Sequence, residues 1–159
     1  GRKPVWTFLI EQIMQMKKAT FYPNGGTTMV TVKQVAQCIY GALEKGDGGH
    51  NYPIGYYNMS WKEMLKIFHE YMGVPEKRII IIPKFLYKLA MKRKVKEFKD
   101  KGIESGLDLM KLVEIMTRKA YIDQSFIIDS FNVEPDDIKN AIGQSVTASL
   151  DFLSRKVLM

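Results

Sequence analysis

Two periodicities meet in residues 28–46, which have the sequence TMVTVKQVAQCIYGALEKG. The β-branched residues of the first part favour an extended chain, so a strand is predicted over residues 27–32. From residue 32 onward, apolar side chains recur at intervals of three and four, as on one face of a helix. Gly46 begins a glycine-rich stretch that is typical of a helix end. The segment therefore predicts a strand followed directly by a helix over residues 32–45.

Further helices and short strands are predicted on both sides of this unit. Ser60 and Glu63 form the sequence signature of a capping box, so a helix is expected to begin there and to stop at Gly73. The other predicted helices cover residues 4–18, 84–101, 107–119 and 138–155. Short extended segments are predicted at residues 21–22, 50–55 and 78–82, the last as a buried strand. Residues 123–133 fit neither periodicity.

These elements predict an α/β protein, with a helix-rich α+β appearance if the chain is a fragment. The strands are too few and too scattered to close a sheet of their own. Segments of this kind often add to the edge of a larger sheet, so they are expected to extend the parallel sheet of a second, dinucleotide-binding half. Residues 1–159 are accordingly interpreted as a single domain or as a fragment without that half.

Composition excludes several classes of protein. The chain is 46% hydrophobic and 26% charged, which is ordinary for a globular protein and excludes a largely disordered one. No apolar run approaches the roughly 18 residues that a membrane-spanning helix needs. Cys38 is the one cysteine, which excludes an internal disulfide and suits a reducing cytoplasm.

The chain lacks the common motifs of catalysis and cofactor binding. It has no glycine-rich phosphate loop between a strand and a helix, and no tyrosine followed four residues later by lysine. His50 and His69 have no cysteine or carboxylate at ligand spacing, and His69 is predicted to be an ordinary packed or surface side chain. No catalytic, cofactor-binding or metal-binding residue is therefore predicted from the residues themselves.

Residues 84–101 form a basic segment with several open interpretations. Lys84, Lys88, Lys92 and Lys96 are spaced by four and form one stripe on a helix, with Phe85, Leu86, Leu89 and Phe98 largely off it. The stripe fits a solvated face above a core-facing side, or a surface for an anionic membrane or a protein. Nucleic acid is the least favoured partner, because lysines predominate where base recognition would want arginines or aromatic rings.

The order of the motifs resembles the second half of NAD-dependent epimerase/dehydratases, the extended short-chain dehydrogenase/reductases. In that family a strand leads into a V-D-D-V-A helix start, then a Leu-Glu-x-Gly helix end, a G-x-x-Y-x-I-G segment and a Ser-capped helix. Residues 28–46, GHNYPIG at 49–55 and NMSWKE at 58–63 follow that order. Residues 123–133 and the helix from Asp137 to Leu150 resemble the family's closing segment and last helix.

The resemblance implies a division of labour between two halves. The glycine-rich loop, the catalytic Ser/Thr and the Tyr-x-x-x-Lys pair would lie upstream of Gly1, together with the NAD or NADP site. This chain would shape the pocket for a small-molecule substrate, with a sugar or nucleotide sugar among the candidates. Trp6, Thr27 and Met29 are the expected substrate-facing residues, although Trp6 also suits a core position and the other two suit plain strand positions. A homodimer is left open.

Three departures from the family pattern leave the substrate class open. Lys33 and Gln34 replace the paired acids, and Asn132 stands within Phe131–Val133 where the family has Leu-Gly-Trp. Thr27 occupies the approximate position of an arginine that often holds phosphate, and threonine cannot make a bidentate phosphate contact. A smaller or less charged substrate is therefore as acceptable as a nucleotide sugar. The alternative function is a non-enzymatic interaction domain that uses the basic 84–101 helix.

Overall fold

The computed structural model describes residues 3–102 and 108–157, which form a helix-rich α+β fold. Its helices are α1 (Thr7–Gln15), α2 (Val32–Lys45), α3 (Trp61–Tyr71), α4 (Lys84–Asp100), α5 (Leu109–Met116), α6 (Ser125–Phe131) and α7 (Ile138–Val157). Its strands are β1 (Ala19–Pro23), β2 (Gly26–Met29), β3 (Tyr57–Ser60), β4 (Arg78–Ile82) and β5 (Lys119–Ala120). None of the described helices is both long enough and apolar enough to cross a membrane.

Capping boxes fix the starts of α2 and α3, which follow β2 and β3. At α3 the Ser60 hydroxyl accepts from the Glu63 N–H at 3.2 Å, and the Glu63 carboxylate accepts from the Ser60 N–H at 2.8 Å. This confirms the predicted capping box. Thr31 and Gln34 form a second capping box at the start of α2, with distances of 3.2 and 3.1 Å. Because the Thr31 N–H and hydroxyl bond to Gln34 within this cap, Thr31 starts the helix, so β2 ends at Met29 and the strand predicted to residue 32 is too long.

The strands form two small sheets whose borders are open within the described residues. β1 and β4 pair in parallel, with Ala19 opposite Arg78 and Pro23 opposite Ile82. The second sheet has the order β3-β2-β5, in which β2 is antiparallel to β3 and parallel to β5. Each of β1, β3, β4 and β5 therefore has a neighbour on one side only among the strands described here.

Two hydrophobic clusters hold the helices in place. The larger lies between α1, α3 and α7 and is built from Leu9, Ile10, Ile13, Trp61, Met64, Leu65, Phe68, Ile142 and Val146. The smaller joins α2 to α6 through Cys38, Ile127, Phe131 and Val133. Burial of these apolar side chains is the main stabilising contribution that fixes the helix arrangement.

Two predicted strands differ from the structure because a strand depends on its neighbours. Residues 50–55 are not a strand, and the strand of this region is β3 at residues 57–60, which has β2 beside it. The strand at residues 78–82 has the predicted bounds but is not buried, since Arg78 and Ile80 are exposed and nothing in the described chain covers that face.

The helix predictions were closer, because their signals are local. The bounds of α2 match the prediction, and those of α4 and α7 differ from it by one or two residues. The first helix covers Thr7–Gln15 rather than residues 4–18, since the chain must become extended before β1 begins at Ala19. The helix predicted over residues 107–119 is α5, shortened at both ends, and residue 107 lies outside the described part.

Candidate functional site

A cleft of about 590 Å³ opens where the first turn of α2 faces α7 and the residue that precedes α1. Its size is within the range of small-molecule sites. The residues that line it are Trp6, Met29, Val30, Thr31, Val32, Lys33, Asp136, Ile138, Ala141, Ile142, Gln144, Ser145 and Ala148. Apolar side chains form most of this wall; Thr31, Lys33 and Asp136 lie at the junction of β2 and α2, and the polar residues Gln144 and Ser145 lie on α7.

A hydrogen-bonded network builds that polar junction. The Thr31 hydroxyl donates to the Asp136 carboxylate at 2.6 Å, and the buried Gln34 side chain donates to the Glu134 carbonyl at 3.0 Å. The Tyr57 hydroxyl donates to the Asp136 carbonyl at 2.5 Å and lies 2.6 Å from the Asp136 nitrogen. These contacts fasten residues 134–136 to the start of α2, so two segments about a hundred residues apart in sequence form one edge of the cleft.

Asp136 is held in its charged form by its surroundings. The Thr31 hydroxyl, together with the Asp137 backbone N–H and the nearby Lys33 ammonium, lowers the pKa of the Asp136 carboxyl below its usual value. A carboxylate that accepts hydrogen bonds at neutral pH can orient a hydroxyl-bearing ligand. It is a poor proton donor for catalysis, so this junction suits binding better than acid–base chemistry.

The structure brings two of the three predicted substrate-facing residues to this cleft. Trp6 and Met29 both line it, and the Trp6 ring is held edge-to-face against Phe68 with the ring centroids 5.5 Å apart. Thr27 is not among the lining residues, because it lies in the middle of β2 between Met59 and Ala120. That any of them faces a substrate remains a prediction.

Thr31, Gln34 and Asp136 were not predicted from the sequence as residues of a site, and Gln34 was not recognised as part of a helix cap. The Thr-x-x-Gln spacing is a capping signature and could have identified the first two. Asp136 carries no comparable signal, since its partner Thr31 is 105 residues away and only the folded chain joins them.

The glycine-rich turn at Gly25 and Gly26 does not fit a nucleotide phosphate. A Cβ atom at Gly25 would stand 2.3 Å from the Met116 carbonyl oxygen and 2.8 Å from the Trp61 ring nitrogen. Glycine is therefore required there for close packing of α5 and α3, and the turn leads into β2 rather than into a helix.

His69 has a structural position, as the sequence suggested. Its ring is buried in α3, with Nε2 2.9 Å from the Thr20 hydroxyl and Nδ1 3.1 Å from the Lys77 carbonyl. Burial lowers the pKa of this imidazole below its ordinary value of 6.5. Within the described residues, no group of three His, Cys, Asp or Glu side chains is arranged as a metal site requires.

Comparison with known proteins gives a fold and no family. No family model matches the chain, and no curated protein matches it either. The crystal structure of gox2253 is similar, with a TM-score of 0.62 and 17% sequence identity over 90% of this chain. This chain spans only 42% of the length of that structure. The likeness therefore shows that the present fold also occurs as part of a longer chain.

Proposed function

We propose that this chain is the substrate-binding portion of an NAD(P)-dependent epimerase, dehydratase or related reductase of the extended short-chain dehydrogenase/reductase type. A dinucleotide-binding Rossmann half would pack against it and carry the catalytic residues. The observation on which this proposal mainly depends is the cleft at the β2–α2 junction, which gathers Trp6 and Met29 beside Thr31 and Asp136.

The open parallel sheet supports a second half. Parallel strands are found almost only in sheets with both faces covered, because their connections are helices that pack on those faces. The β1–β4 pair is parallel, yet Phe21 and Ile80 lie opposite each other on a face that remains exposed. A larger partner sheet would supply the missing neighbours and cover this face.

The outer side of α2 supports the same conclusion. Val32, Ile39, Tyr40 and Leu43 recur at helical spacing and are all exposed, with Val32 at 87% and Leu43 at 82%. An apolar stripe of this length on one helix is typical of a surface that is covered by another element. Residues 50–55, which have no regular secondary structure, follow this helix in the chain, and Tyr52 and Ile54 pack against the small cluster that contains Cys38.

In this proposal the chain binds and orients the substrate, and the cofactor of the other half exchanges a hydride with it. Lys33 and Asp136 are the charged side chains among the described residues of the cleft wall, and their charges cancel. A neutral sugar or small carbonyl compound therefore suits the cleft better than a nucleotide diphosphate. The buried thiol of Cys38 is consistent with the cytoplasmic location that we also propose.

Fluorine NMR of the chain labelled with 5-fluorotryptophan tests this proposal. The chain has two tryptophans, and a Trp6→Phe variant assigns their signals. Millimolar neutral hexoses, small ketones and UDP-glucose would be added separately, followed by NADH and NADPH. We expect the Trp6 signal to shift with at least one substrate-class compound, the Trp61 signal to stay unchanged, and the dinucleotides to move neither.

A blocked cleft provides the matched control. Ala148→Phe fills the cleft from α7, whereas Ala90→Phe makes the same change on the exposed side of α4. Only the first variant should abolish the Trp6 shift. Tight binding of NADH or NADPH to this chain alone would contradict the proposed division of labour, as would a Trp6 signal that responds to none of the compounds.

A further inference from the structure

Helix α4 packs against the protein by one narrow side. Its half-buried residues are Tyr87, Met91, Lys94 and Phe98, at successive intervals of four, three and four, and the helix contains no fully buried residue. Of the four apolar residues predicted to lie off the lysine stripe, Phe98 is on this packed side, whereas Phe85, Leu86 and Leu89 are exposed.

On the opposite side of α4, the apolar and the basic residues lie in successive halves of the helix rather than on separate faces. Phe85, Leu89, Lys92 and Lys96 follow the same spacing two residues out of phase with the packed side, which turns them directly away from the protein. Phe85 is 69% exposed and Leu89 48% exposed. The first half of this outer face therefore carries Phe85 and Leu89 flanked by the exposed Lys84 and Lys88, and its second half is basic.

The charge of α4 identifies what this face would meet. The helix has seven lysines and arginines against two acids, a net charge of +5 within a chain of +7. Lysine stems can lie along apolar groups while the ammonium stays among phosphates. Exposed Phe and Leu beside a dense cationic cluster are the features of helices that lie in the headgroup region of anionic bilayers.

We infer that α4 is a peripheral membrane anchor, which rests on anionic lipid with Phe85 and Leu89 inserted and with Lys92, Arg93 and Lys96 on the headgroups. Binding of this kind fits α4 better than spanning, because the helix lies along the surface and keeps its inner side on α5. The inference is independent of the proposed enzymatic function.

Vesicle flotation tests the inference. The chain would be mixed with vesicles of phosphatidylcholine alone or with phosphatidylserine added to about a third of the lipid. We expect flotation only with the anionic vesicles in 0.1 M salt, and its loss in 1 M salt, where screening acts over roughly 3 Å. The triple variant Lys92→Gln, Arg93→Gln, Lys96→Gln should lower the partition coefficient by roughly a hundredfold, since each basic residue contributes about fivefold.

Two further variants distinguish binding by the outer face of α4 from attraction that depends only on the net positive charge of the chain. Lys18→Gln, Lys45→Gln, Lys62→Gln removes the same charge from exposed positions elsewhere and should change binding less than about threefold. Phe85→Ser, Leu89→Ser should weaken binding while the salt dependence is retained. Circular dichroism should show each variant folded, because the changed residues are exposed. Equal loss in the two triple variants would overturn the inference, as would equal binding to neutral vesicles or no binding at all.

Discussion

At the scale of single residues, His69 joins three parts of the fold. Because the Lys77 carbonyl can only accept, Nδ1 of His69 must carry the proton, and Nε2 is then free to accept from the Thr20 hydroxyl. The Lys77 side chain continues the connection, since its ammonium donates to the Ile13 carbonyl at 2.6 Å in the last turn of α1. The folded protein therefore requires a proton on Nδ1, and burial of the ring disfavours a second proton on Nε2, which lowers the pKa of His69.

This requirement makes stability dependent on pH. The pKa of His69 is lowered in the folded state, so the unfolded chain binds the proton more readily. The contribution of His69 is fully present above pH 6.5 and decreases as the pH falls below that value toward the folded-state pKa. We expect the thermal midpoint of the chain to fall between pH 7 and pH 5, measured by circular dichroism at constant ionic strength.

The second histidine supplies the control for this prediction. His69→Gln should lower stability at pH 7 by about 1–3 kcal/mol through lost buried hydrogen bonds, and should flatten the decline between pH 7 and pH 5. His50→Gln changes an exposed side chain and should leave both quantities nearly unchanged. A His69→Gln protein that keeps the full pH dependence would show that another group is responsible.

At the scale of elements, Gly41 sets how closely α2 approaches α6. A Cβ atom at Gly41 would lie 2.6 Å from Cβ of Phe131, and Phe131 is held in turn by edge-to-face contacts with Tyr52 and Phe126. Gly41→Ala would gain up to about 1 kcal/mol in helix propensity. Overpacking against a side chain that cannot withdraw costs roughly 1–3 kcal/mol, so a net loss of stability is expected.

Urea unfolding of two variants measures this balance. Gly41→Ala should shift the midpoint downward, because its methyl group would meet Cβ, Cγ and Cδ1 of Phe131 at 3.0 Å or less. Gly48→Ala is the matched control, since no atom lies within 4 Å of the position that its Cβ would take. A Gly41→Ala protein at least as stable as the parent would mean that α2 and α6 can separate without cost.

The elements also show which parts of the fold the sequence could specify. The capping box of α3 and the periodicity of α2 are local signals, and each predicted a helix that the structure confirms. Asn132, which stands where the family pattern has glycine, can also be explained locally. Its φ is 52°, the left-handed conformation that ends α6, where glycine is common and asparagine is the best replacement. The 50–55 segment failed as a strand because pairing depends on a partner, which no local pattern encodes.

The candidate site was predictable only in part, for a similar reason. Trp6 and Met29 were identified as candidates, and both line the cleft, but its polar edge depends on contacts between the start of α2 and residues 134–136. Gln34 shows why one departure from the family pattern is compatible with this packing. Its amide donates to the Glu134 carbonyl, which an aspartate in that position could not do.

At the scale of the whole molecule, the exposed apolar side of α2 and the backbone amides of residues 51–54 make the docking of a second half testable. No backbone hydrogen bond from the amides of Asn51, Tyr52 and Ile54 is found within the described residues. Exchange of these amides with deuterium should therefore be fast in the chain alone. If a Rossmann sheet pairs with this segment, alternate amides become bonded, and their exchange in the longer protein should slow by about tenfold or more.

Mass spectrometry of peptic peptides can resolve this change, with α3 as the internal reference because its buried side already faces the larger cluster. The variant Leu43→Lys tests whether contact of the second half with α2 is what slows this exchange. It alters an 82% exposed side chain, so the isolated chain should keep its stability within about 0.5 kcal/mol. In the longer protein the same charge would enter an apolar contact and should return residues 50–55 to fast exchange. If residues 50–55 exchange equally fast in this chain alone and in the longer protein, the proposal that a second half docks on the sheet borders and on the α2 stripe is contradicted.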